Sequence, residues 1–167
     1  MSAVPTVLRA LYEGERAMER KLLETAARDA AEHEVHHVAV DLARWSHEHA
    51  ERLARAAEPY GLRLPRSGEG PPGPRERGEH AARALDDTRS GLDLLNDLRE
   101  LHLAATGNSL DWEMLAQAAQ AEKDTALLDL ATACHPQTLR QMRWTNTMIK
   151  TLSPQLLSRA GASSRDS

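Results

Sequence analysis

The sequence predicts an all-α fold, an antiparallel bundle of four helices. Two observations carry this. Apolar residues recur every three or four positions over four long stretches, the period of a helix with one buried face. The chain is also 41% hydrophobic but only 3% aromatic, with no Phe. Its core must therefore be Leu, Ala, Val and Met, mostly good helix formers.

The first helix is expected from Pro5 to Asp29, because proline is tolerated in a first turn. Its stripe is Leu8, Leu11, Glu15, Met18, Leu22 and Ala26, with one acid among the apolar positions. A short joint, Ala30–Glu34, leads into the second helix, so the two should form an antiparallel hairpin. The second helix carries Val35, Val38, Leu42, Trp45, His49, Leu53 and Ala56 on one face, with Ser46 beside His49. Pro59 and Gly61 end it near Glu58.

Arg63–Arg77 holds four prolines and three glycines without apolar periodicity. It reads as a flexible crossover that carries the chain back along the bundle, making the third helix parallel to the second. The third helix is expected from Glu79 to Glu122, with Leu94, Leu98, Leu101, Ala105, Asn108, Trp112, Leu115 and Ala119 in phase. Gly107-Asn108-Ser109 weakens its middle and leaves room there for a small-molecule pocket. The fourth helix is expected from Thr125 to Leu152, on a face of Leu128, Thr132, His135, Leu139, Met142, Asn146 and Ile149. Pro136 should kink or split it, and Ser153-Pro154 should stop it. The whole is one domain, residues 1–157, with a disordered tail at 158–167.

Bulk properties exclude several classes. A formal net charge of -4 argues against a nucleic-acid partner. The basic residues Arg140, Arg143, Lys150 and Arg159 are too few to reverse that. Cys134 is the sole cysteine, so neither an intrachain disulfide nor a thiolate metal cluster is available. The first residues do not resemble a secretory signal, and no apolar run approaches the ~20 residues of a membrane span. A cytoplasmic protein with no membrane partner is expected. The absence of a phosphate loop and of a nucleophile elbow leans against an enzyme without deciding it.

The chemistry lies in polar residues on apolar stripes: Glu15, Ser46, His49, His102, His135 and Asn146. At ~1.5 Å per residue below the first joint, Glu15 falls at about 21 Å, Ser46 and His49 at about 22–27 Å and His102 at about 30 Å. Asn146 falls near His102, and His135 about 15 Å closer to the last turn. Glu15, His49 and His102 could hold a single Fe, Zn or Mn ion, with Ser46 and Asn146 in the same buried polar layer. The alternative is a hydrogen-bonded network with no cofactor. A second cluster, His33, His36 and His37 with Glu32 and Glu34, reads as a solvated helix start. Trp45, Trp112 and Trp144 read as core anchors.

The phrases LYEGERAMERKL (Leu11–Leu22) and HEHAERLARAAEPYG (His47–Gly61) resemble the first two helices of the ferritin-like superfamily, and are similar to rubrerythrin-like and stress-associated bacterial bundle proteins. The resemblance implies a ferritin-like bundle with a long crossover. It also implies a di-iron centre built from a Glu on each of two helices and Glu-x-x-His on the other two. Glu15 matches the first acid and His49 the histidine, but Ser46 stands where the paired Glu belongs. Glu100 lies one step off the His102 face, and no Asp or Glu occurs between Asp129 and Asp166. The expected protein is therefore a degenerate ferritin-like bundle that has lost di-iron chemistry. It would act as a binding or assembly module, as a homodimer with a protein or small-molecule partner. The alternative function is a single-metal protein with a redox or hydrolytic role.

Overall fold

A computed structural model of the chain describes residues 2–67 and 90–163. They form four α-helices: α1 Val4–Arg28, α2 His33–Ala57, α3 Gly91–Glu122 and α4 Thr125–Ser163. There is no strand among the described residues. None of these helices is long and apolar enough to cross a membrane.

The expected stripes of α1 and α3 are buried at every position. In α2 the buried line runs through Val35, Ala39, Leu42, Ser46, His49 and Leu53, with Trp45 on its flank. α1 and α2 pack as the expected hairpin, Met18, Leu22 and Ala26 against Ala39, Leu42 and Ala43. His36 Nδ1 meets the Ala26 carbonyl at 2.7 Å, tying the start of α2 to the end of α1. A 3-10 turn, Glu58–Tyr60, closes α2, and Gly61 reverses the chain at φ +73°. Only glycine adopts that conformation cheaply.

Beyond Gly61 the chain turns back along the bundle. The Tyr12 hydroxyl donates to the Pro65 carbonyl. Ser67 Oγ donates to Glu51 and lies 2.9 Å from His47 Nε2, roughly two to three turns back from the end of α2. The rest of the expected crossover, 68–77, lies outside the described residues. So does the expected beginning of the third helix. α3 itself starts at Gly91, where Ser90 and Asp93 form a reciprocal capping box.

Three core clusters fix the helix directions. One joins the start of α1, the end of α2, the end of α3 and the start of α4 (Leu8, Leu53, Trp112, Leu115, Leu127). At the other end Val35 of α2 meets Leu94 and Leu98 of α3 and Met148 of α4. α3 therefore runs parallel to α2, and α4 antiparallel to α3. The α3–α4 turn places Lys123 at φ 57°, and the Asp124 amide returns to the Ala119 carbonyl. This is a Schellman-type closure.

The fourth helix departs from expectation in three ways. It is not split at Pro136, nor stopped at Ser153-Pro154, and it continues through residues 158–163 of the expected tail. Pro136 lies on the exposed side, as does Thr132, the residue whose carbonyl it leaves without a helical donor. Near Pro154, Ser153 Oγ donates to the Ile149 carbonyl within the helix. The buried face is also displaced by one residue. Leu127, Ala131, Cys134, Thr138, Gln141, Thr145 and Met148 point inward, while Leu139 and Asn146 are exposed.

Candidate functional site

The polar layer is built from all four helices. Glu15 occupies the apolar stripe of α1, so packing Leu11 and Met18 against the core carries its carboxylate inside, where it is fully buried. Trp112 on α3 donates its indole N–H to Glu15 Oε1 at 3.0 Å. His49 on α2, 1% exposed, lies against Trp112 edge-to-face at 5.7 Å between ring centres. Its Nε2 donates to Gln137 Oε1 of α4 at 2.7 Å. Its Nδ1 is 3.2 Å from Glu15 Oε1, an ion-pair distance, but is not aligned for a hydrogen bond. One turn along, Gln141 Nε2 donates to Ser46 Oγ at 2.9 Å and to the Leu42 carbonyl at 3.0 Å.

Burial alone would drive the His49 imidazolium toward neutrality. The polar Cys134 and Glu15 side chains beside the ring, and the Glu15 charge, outweigh that and hold its pKa up at about 10. The raised pKa favours the protonated ring, which lies between Gln137 Oε1 and the Glu15 carboxylate. Four atoms of this layer are buried without a hydrogen-bond partner: Glu15 Oε2, His49 Nδ1, Thr138 Oγ1 and Gln141 Oε1.

The structure brings Glu15, Ser46 and His49 into one layer and leaves two predicted members out. His102 is only half-buried, and its Nδ1 bonds to Thr145 Oγ1 at 2.9 Å. It lies ten residues, or about 15 Å, along α3 from the tryptophan that touches Glu15. The Glu15, His49 and His102 set therefore does not converge. Asn146 is exposed, a correction that follows from the one-residue rotation of α4: Thr145 takes the inward position. His135 bonds to Ser109 Oγ at 2.8 Å. Among the described residues, no group of three or more His, Cys, Asp or Glu side chains could hold a metal ion.

At Asn108 and Ser109 the expected space is taken up by packing, while Gly107 faces outward. Asn108 donates to the Gly14 carbonyl at 3.2 Å, and a Cβ on Gly14 would stand 2.2 Å from Asn108 Oδ1. Gly14 is glycine because α3 approaches it this closely. At the start of α2, His33 stacks on His37 at 6.3 Å between ring centres, and His36 meets His37 edge-to-face at 5.2 Å.

Five members of the layer were not anticipated: Trp112 as the Glu15 donor, Cys134, Gln137, Thr138 and Gln141. A signal for Cys134 and Gln141 exists. Cys134, Thr138, Gln141 and Thr145 recur at steps of four, three and four, a helical stripe written in small and amide side chains rather than apolar ones. Chemically the layer can hold a charge pair and specify how the helices align. Cys134 and His49 are sealed from solvent, so they offer no accessible nucleophile–base pair. A shallow cleft lined by Ala54, Glu58, Leu62, Leu64 and Arg66 shares no residue with the layer. Compared with protein families, curated proteins and solved structures, the chain matches none.

Proposed function

We propose that the chain is a degenerate ferritin-like bundle, kept as a binding or assembly module, in which the Glu15–His49–Trp112 layer is structural. Support comes first from topology. α2 and α3 run parallel, the relative direction that the second and third helices of a ferritin-like bundle have. The residues at the centre do not fit a di-iron site. Two bridged cations need several carboxylates, whereas α3 supplies Trp112 here and α4 supplies Cys134, Gln137, Thr138 and Gln141. The observation that carries the reading is the position of His49. With Gln137 Oε1 accepting at one nitrogen and the Glu15 carboxylate facing the other, the imidazolium is accommodated as a charge partner.

A second reading has one observation in its favour. Glu15 Oε2 and His49 Nδ1, both buried and without a hydrogen bond, are the atoms that would bind one ion if His49 were neutral. Elemental analysis of untagged protein, purified without chelators, separates the two. The structural reading expects Fe, Zn and Mn well below one per chain. One ion per chain, lost in both Glu15→Ala and His49→Ala while the helical signal persists, would replace it with the single-metal reading. Two irons per chain would overturn both.

A further inference from the structure

Outside the polar layer, an accessible serine meets a histidine where the stretch after Gly61 folds back over the α1–α2 hairpin. Three anchors fix that stretch. Leu64 is buried among residues of α1 and α2, the Tyr12 hydroxyl donates to the Pro65 carbonyl, and Arg66 pairs with Glu58. They set Ser67, which is exposed, beside α2. Its Oγ lies 2.9 Å from His47 Nε2. The other ring nitrogen, His47 Nδ1, lies 3.0 Å from Glu19 Oε1 on α1. Serine, imidazole and carboxylate thus follow one another in space, although 20 and 28 residues separate them in the sequence, so no local motif announces them.

An ionised carboxylate only accepts hydrogen bonds, so Glu19 draws the single proton of a neutral His47 ring to Nδ1. Nε2 then keeps its lone pair toward the Ser67 hydroxyl, as a general base faces its nucleophile. Glu19 is mostly covered and His47 half-buried, so the hairpin holds the base while the serine stays open to solvent. We propose that Ser67 is a nucleophile toward carboxylic esters, with His47 as its base and Glu19 positioning the ring.

In the first half-reaction Ser67 Oγ bonds to the acyl carbon and its proton passes to His47 Nε2. That proton leaves with the alcohol as the ester C–O bond breaks, and acyl-Ser67 remains. Water then adds to the acyl carbon, giving a proton to the same nitrogen. The carboxylic acid departs, and Ser67 Oγ recovers the proton from Nε2. Two features limit the site to reactive esters rather than amides. Glu51 Oε1 lies 2.6 Å from Ser67 Oγ and competes with His47 for the one hydroxyl proton. The Ser67 backbone N–H is also committed to Glu51, at 2.7 Å, and is not open to a developing oxyanion. The site shares no residue with the Glu15–His49–Trp112 layer, so this activity and the structural reading of that layer can fail separately.

Reaction of the full chain with p-nitrophenyl acetate tests it, with nitrophenol release followed by absorbance and the acetyl group located by peptide mass spectrometry after an acid quench. The expected result is acetylation at Ser67, abolished in Ser67→Ala and slowed about 100-fold in His47→Ala. Glu19→Gln, whose amide can donate to Nδ1 and favour the wrong tautomer, should lower kcat with KM unchanged. Because Ser67 is exposed and His47 only half-buried, circular dichroism should remain helical in all three variants. A wild type that carries no acetyl group at Ser67 would overturn the proposal. So would Ser67 acetylation at the same rate in His47→Ala, which would mark an ordinary surface hydroxyl. Neither outcome alters the metal content that tests the structural layer.

Discussion

At His49, burial and charge pull in opposite directions, and the charge prevails. Its folded pKa, about 10, lies above the ~6.5 of an exposed imidazole, so the folded state binds this proton more tightly than the unfolded chain. The stabilisation is fully present below about 6.5 and is lost as pH rises through about 10. Urea midpoints across that window should fall for the wild type and stay nearly flat for His49→Gln. An equal fall in both would place the sensitive group elsewhere. Glu15→Gln separates charge from hydrogen bonding: the amide still accepts from Trp112 but leaves the imidazolium unpaired in a dry interior. Removing one partner of a buried pair costs about 3–5 kcal/mol. A loss under about 1 kcal/mol would mean that His49 is neutral in the fold.

The fourth helix shows where reading by hydrophobicity succeeds and where it stops. α1 and α3 bury their most apolar lines, so Leu8 to Ala26 and Leu94 to Ala119 were legible in full, Glu15 and Asn108 included. α4 instead buries Cys134, Thr138, Gln141 and Thr145 and leaves Leu139 42% exposed. One residue of rotation is about 100° on a helix, enough to exchange Asn146 for Thr145 and to hide the amides that meet His49 and Ser46. Those amides match polar positions on α2, information held in another helix and invisible to any scan along α4 alone. Pro136 and Pro154 misled for a related reason: a missing helical hydrogen bond is cheap when the freed carbonyl reaches water. The rotation makes two neighbouring substitutions diverge. Thr138→Val removes a buried hydroxyl without a partner at nearly constant shape, and should raise stability by about 1 kcal/mol. Leu139→Gln should change it by less than about 0.5 kcal/mol. If α4 were turned to the more apolar face, the order would reverse, and chemical denaturation of both variants decides it.

Across the whole molecule, the two hairpins meet along seams of different character. α1 and α3 join mainly through the apolar Leu8, Leu11, Trp112 and Leu115, with the Trp112–Glu15 and Asn108–Gly14 hydrogen bonds beside them, whereas α2 and α4 meet chiefly through His49–Gln137 and Ser46–Gln141. An apolar seam supplies most of the stability but tolerates sliding, while directional hydrogen bonds favour one alignment. Gln141→Met tests this division. Methionine fills a similar volume and removes the orphaned Oε1, and the Ser46 hydroxyl can turn to the Leu42 carbonyl four residues back, which Gln141 vacates. Global stability should therefore stay within about 1 kcal/mol or rise. Amide hydrogen exchange, followed by mass spectrometry, should nonetheless quicken in α4 around residues 138–145, because that helix has lost the bond fixing it against α2. A midpoint lowered by more than about 2 kcal/mol would assign Gln141 to stability rather than alignment. Unchanged exchange with unchanged stability would leave the register of α4 set by Leu127, Leu130 and Met148 alone.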